Sequence, residues 1–237
     1  MSKNQKIIFK ETYEVASSLG PQYSPSIKHI PEWFKSTKPF SNGETDYLEA
    51  KKNPPFEGTM KLCMPVLDGL TSGYMMALPA SIIVSQIGGM PRVEWGTHWD
   101  PLDSIPTVSL GEYPIPHGHS GLVFRWNTLY RTITPSGYST LISHPIHRHD
   151  LPFFTLTGVV DTDTTPNKIV VPFVIREGFE GVIEEGTPIA QLLPFKRENW
   201  NSSIAPYTPD EAFGHEKIKK SLIRTYKKKY WSKKQYN

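Results

Sequence analysis

The chain has 237 residues, 38% of them hydrophobic and 12% aromatic, with 22 Pro and 17 Gly. This composition supports a packed core, excludes global disorder, and favours many short strands joined by turns. The net charge of +3 points to no partner class by itself, the single cysteine (Cys63) excludes an intrachain disulfide, and no apolar run approaches membrane-spanning length.

Taken in chain order, "MSKNQKIIFKETYE" is polar and has no apolar signal segment, which predicts a soluble protein made in a reducing compartment. Residues 1–63 read as an N-terminal extension wrapping a body. "YSPSIKHIPEWFKSTKPFSNGE" mixes Pro, aromatics and charges without a period of 2 or 3.6, and Trp33 and Phe34 are its expected anchors. From 64 to 200 the pattern is β. Apolar runs in "MPVLDGLTSGYMMALPASIIVSQ", "GLVFRWNTLYRTITP", "GYSTLISHP", "FFTLTGVVDTD", "KIVVPFVIREG" and "GTPIAQLLPF" are each bounded by Gly, Pro or Asp. Short strands at this spacing predict an antiparallel barrel or sandwich with Leu141, Val159, Val170, Ile189 and Leu192 facing inward. The interval 88–119 reads as a loop insertion. Residues 201–237 read as a basic helical arm: Thr208 is the N-cap, Pro209 the first helical residue, and Glu211 completes a capping box. Ile218, Leu222, Tyr226 and Tyr230 then recur every four residues as one apolar stripe.

Charge is distributed unevenly. Residues 216–237 hold nine Lys or Arg against one acid, so the rest of the chain carries a net −5. Such an arm, with Lys227 and Lys228 beside Tyr226 and Tyr230, suits an acidic neighbouring subunit, another protein or nucleic acid; the alternative is a solvated helix that aids solubility.

Three groups of residues have the chemistry of a site. Asp161 and Asp163 in "GVVDTD" could act as catalytic carboxylates or cap a tight hairpin. "HPIHRHD" offers His144, His147, His149 and Asp150. On a strand, His147 and His149 would share a face, and with His117 and His119 of "PHGHSG" they could hold Zn²⁺ or Fe²⁺; the alternative is a set of polar surface residues. His98 and Asp100 of "GTHWD" form a weaker pair. The expected outcome is no metal and no cofactor.

In order, "GLTSGYMMALPASIIV", "TPSGYSTLISHP", "GVVDTD" and "EEGTPIAQLLPF" resemble four motifs of the trimeric dUTPase and dCTP-deaminase superfamily. The resemblance implies a β-clip, or distorted jelly-roll barrel, assembled as a homotrimer. It also carries over the water-orienting acid to Asp161. Departures fall on the phosphate ligands. Met75 stands at the first motif's Asp, Ile146 and His147 stand nearest the second motif's Arg-Ser-Gly, and Thr164 and Thr165 replace the Tyr and Arg of the third. The Gly-rich C-terminal arm is missing. Without Arg, Lys or Mg²⁺ to take up charge developing on phosphate, hydrolysis of a phosphoanhydride is not expected. The run from "GYSTLISHP" through "DLPF", "GVVDTD", "FEG" and "GTP" to "PFKRENW" also resembles, with the rest of the chain, an uncharacterised family encoded by T4-like cyanophages and marine myoviruses. Together these resemblances imply a phage-encoded, non-enzymatic structural or assembly protein, found in the host cytoplasm or the virion, with other virion proteins as possible partners. The alternative is a nucleotide-processing enzyme with a rearranged site at Asp161, Asp163 and the 144–149 segment.

Overall fold

The computed structural model describes residues 5–12, 16, 19, 22–96, 114–208, 210–211 and 226–237. Among them the chain is mainly β, as composition and turn spacing predict: thirteen strands form four antiparallel sheets, accompanied by three short α-helices. The four ladders do not close into one barrel. The chain divides into two compact units, one of residues 1–29, 73–197 and 237, the other of residues 30–72 and 198–236.

In the first unit β1 (Ile8–Glu11) pairs with β7 (Tyr130–Ile133). The largest sheet runs β10 (Gly158–Val160), β8 (Tyr138–Ser143), β13 (Pro188–Lys196), β3 (Tyr74–Ala77) and β2 (Tyr23–Pro25). A third combines β6 (His119–Trp126), β11 (Val171–Arg176) and β9 (Phe153–Thr155), and a fourth β12 (Gly181–Ile183), β4 (Ile82–Ile87) and β5 (Met90–Glu94). Apolar residues of the second, third and fourth of these sheets meet in one core, and Leu129 and Tyr130 beside β1 form a separate small cluster. Trp126 stacks on Phe173 with ring centroids 3.5 Å apart, and Phe153 presents its edge to both.

Two sequence expectations are corrected here. Residues 90–94 are a strand, although they lie inside the expected 88–119 insertion. Gly88 and Gly89, both at positive φ, form the two-residue turn that joins β4 to β5. The inward-facing set is also only partly right. Ile189 and Leu192 are buried, Leu141 is half-buried, and Val159 and Val170 are exposed. Register gives the reason. Leu192 lies opposite Ile142 and shares its buried face, whereas Leu141 lies opposite Val159 and Leu193 on the other face. In a strand a shift of one residue exchanges the faces. On β11 the core positions begin at Val171, leaving Val170 outside.

The second unit carries α1 (Glu32–Ser36), α2 (Tyr47–Lys52) and α3 (Met64–Thr71). Asp46 caps α2 by accepting hydrogen bonds from the Leu48 and Glu49 N–H groups. Phe34, Val66 and Leu70 form a small core bordered by Cys63, and Phe40, Tyr47 and Phe56 pack ring to ring about 6 Å apart. Phe34 is thus an internal anchor, while Trp33, edge-on to it, is 40% exposed. The expected capping box forms. Glu211 accepts from the Thr208 N–H and hydroxyl, and the Thr208 hydroxyl accepts from the Glu211 N–H. Ile218 and Leu222 of the expected stripe lie outside the described residues. Tyr226 and Tyr230 bound a π-helical turn, not an α-helix, and both are exposed.

Candidate functional site

"GVVDTD" runs from edge strand β10 into a turn. The Asp161 carbonyl accepts from the Thr165 N–H (2.9 Å) and the Thr165 hydroxyl (2.7 Å), and from the Thr164 N–H (3.2 Å), so the two threonines close a local turn. The carboxylates face elsewhere. Asp163 Oδ2 accepts from the Gly137 N–H at 2.8 Å, and both its oxygens engage Arg197, at 2.9 Å from Nη1 and 2.5 Å from Nη2. Asp161 Oδ1 accepts from the Ser139 hydroxyl at 2.6 Å and from Arg197 Nη1 at 3.2 Å. Between them Thr162 turns inward, its hydroxyl 2.7 Å from that of Thr134 and 2.9 Å from that of Thr140.

Electrostatics follow geometry. Hydrogen bonds from Arg197, then from the Gly137 N–H, bring the Asp163 carboxyl down to about 2, so it is ionised at neutral pH and a poor base. Arg197 is spent on the same contacts, donating also to the Tyr138 carbonyl. The Asp161 side chain is 59% exposed, which leaves it in reach of water. Arg197 escaped sequence reasoning because it is 34 residues from Asp163. It comes into place only through the β13–β8 register, in which Lys196 lies opposite Tyr138 and the Arg197 N–H bonds the Gly137 carbonyl.

The histidine segment is a turn, not a strand. His144, just beyond β8, is buried and stacked on Phe154. Its Nδ1 accepts from the Thr155 N–H at 3.3 Å and its Nε2–H donates to the Arg148 carbonyl at 3.0 Å. Both ring nitrogens are occupied, and burial pushes its pKa down, so the ring is neutral and structural. His147 sits at φ +60°, and the Ile146 N–H before it is held by Oε1 of the fully buried Gln191. The rings of His147 and His149 are 6.4 Å apart. Arg148 clamps Asp150 with two guanidinium nitrogens, its hydrogen bonds holding the Asp150 carboxyl below the usual range. His119 bonds the His117 carbonyl within its own turn. Among the described residues no group of three or more His, Cys, Asp or Glu could hold a metal ion. His98 and Asp100 lie outside the described residues.

Ser139, which touches Asp161, and His144 are separated by five residues of β8 and the turn after it, or roughly 16 Å of extended chain.

At the C-terminus, Trp231 Nε1 donates to both oxygens of Asp68 on α3 (3.1 and 3.0 Å), and Lys234 pairs with the same carboxylate at 2.6 Å. Trp231 was hidden in the sequence among lysines. Lys227 and Lys228 remain exposed. No helix among the described residues is long and apolar enough to cross a membrane. No protein-family model matches the chain, and no curated protein matches it.

Proposed function

We propose that this is a phage-encoded structural or assembly protein, built on a dUTPase-like β-clip that works as a homotrimer without catalysing nucleotide hydrolysis. The observation that carries the reading is the Asp161–Asp163–Arg197 cluster. At the segment that resembles the third dUTPase motif, the Arg197 guanidinium is bound to both acids and to the Tyr138 carbonyl. Such an arrangement ties β10 and β13 to the start of β8 and offers a triphosphate no cation. Lys227 and Lys228 give the assembly a basic surface for virion proteins or nucleic acid, and the host cytoplasm or the virion is its place of action.

A second reading, a nucleotide-processing enzyme, draws on the exposure of Asp161 alone. Incubation with dUTP or dCTP and Mg²⁺ separates the two: no turnover is expected, and turnover abolished by Asp161→Asn would favour the enzyme. Sedimentation at micromolar concentration should show a trimer, and peptides of the chain should appear in mass spectra of purified virions. A monomer absent from virions would defeat the structural reading.

A further inference from the structure

The second unit contains a cavity of about 500 Å³, within the roughly 300–1,000 Å³ typical of small-molecule sites. Its apolar surface comes from Phe34 on α1, Phe40, and Met64 and Leu67 on α3. The only charged side chains among its described lining residues are three lysines, Lys35, Lys61 and Lys227. A neighbouring cavity of about 380 Å³ shares Leu62, Met64 and Lys227 with it.

The lysines are placed rather than merely nearby. Lys61 Nζ donates to the Phe34 carbonyl at 2.6 Å and the Lys35 carbonyl at 3.3 Å, and lies 4.5 Å from the centre of the Phe34 ring. An ammonium has three donors, so one N–H of Lys61 is left beyond these two contacts. Lys35 reaches Glu32 at 3.8 Å, with both side chains more than half exposed, so that pair is weak and easily exchanged. Lys227 lies on the turn that Trp231 and Lys234 secure to Asp68 of α3, the helix that also supplies Met64 and Leu67. An apolar interior edged by three ammonium groups, with no carboxylate among the described lining residues, is complementary to a molecule with an apolar body and one anionic end.

We propose that this cavity binds an amphiphilic anion: an alkyl chain or compact ring system ending in a carboxylate or a phosphate monoester, its body on Phe34, Phe40, Met64 and Leu67 and its head at Lys61 and Lys227. The site shares no residue with the Asp161–Arg197 cluster and does not depend on the assembly reading. An ammonium is a point charge and takes either head group, so the head chemistry is decided by measurement.

Isothermal titration of the full chain with decanoate, decyl phosphate and decanol tests the proposal. One site per chain is expected for at least one of the two anions, and the tighter anion names the head group. Decanol should bind at least about tenfold more weakly, the loss that follows when one charge-assisted hydrogen bond is missing. Lys227→Glu should weaken the anion by about tenfold or more with an unchanged melting temperature. Lys233→Glu, a charge change on the same tail away from the cavity lining, should alter binding by less than about twofold. Leu67→Trp, which fills the interior, should abolish binding, and its melting temperature reports whether the chain still folds. The proposal is overturned if neither anion saturates a site, if decanol binds as well as the anions, or if Lys233→Glu weakens binding as much as Lys227→Glu.

Discussion

Gly73 and Gly137 provide a matched test of the fold. Both adopt left-handed backbone, φ +72° and +84°, so alanine at either position incurs the same conformational strain of about 1–2 kcal/mol. Their surroundings differ. A Cβ on Gly137 would meet nothing within 4 Å, whereas one on Gly73 would run into the Leu192 carbonyl and lie 3.3 Å from the Leu193 side chain. Leu192 cannot easily retreat, because β13 is paired with β3 on one side and β8 on the other. Displacing packed structure in this way typically costs about 1–3 kcal/mol more. Gly73→Ala should therefore lose about 2–5 kcal/mol and Gly137→Ala about 1–2 kcal/mol. Urea denaturation followed by far-ultraviolet circular dichroism measures both, with equal m-values required for the comparison. If the two variants differ by less than about 1 kcal/mol, the approach of Gly73 to β13 is wrong, and the sheet order with it.

Ile189→Ala and Leu192→Ala should each cost about 2–5 kcal/mol, while Val159→Ala and Val170→Ala stay within about 0.5 kcal/mol of wild type; equal losses at all four positions in the same titration would refute the register given for β8, β10 and β13. His144 has a folded pKa below its ordinary value because burial penalises the charged ring, so the unfolded chain binds the proton more readily. Stability should fall as pH drops below about 6.5, and His144→Gln should flatten that part of a urea-midpoint profile; an unchanged profile would show that the ring is not held neutral. Asp163 is also depressed, to about 2. Its contribution is complete above about 4 and should disappear as pH falls from there towards about 2, a fall that Asp163→Asn should abolish; carboxyl NMR showing an ordinary Asp163 titration would contradict the Arg197 contact.

What was legible in the sequence was local. The Thr208–Glu211 capping box, the mainly β content and the burial of Ile189 and Leu192 depend on neighbours a few residues apart, and the structure bears them out. What was not legible depends on pairing. Leu141 and Leu192 are both apolar strand residues, and only the register tells that they occupy opposite faces. Gly88-Gly89 is a hairpin signal at the start of the interval expected to be a loop, and the β5 strand that follows becomes evident only through its pairing with β4. His147 and His149 have the spacing of two strand ligands, yet the Pro145–Arg148 turn removes the strand.

The paired acids show how two neighbouring carboxylates are balanced within one chain. Two carboxylates at i and i+2 on one side of a chain repel unless a cation or a hydrogen-bond network takes up their charge. In a phosphate-binding site that charge balance includes the metal ion that accompanies the substrate. Here the balancing group is Arg197, from the residue just after β13, and the fork geometry of its guanidinium engages both oxygens of Asp163 while reaching Asp161. Ser139 and the Gly137 N–H supply the remaining donors from the start of β8. The acids thus connect three parts of the strand unit that are distant in sequence. Lysine at 197 would keep the charge and lose the two-pronged contact, so Arg197→Lys should behave like a loss of the cluster and not like a conservative exchange.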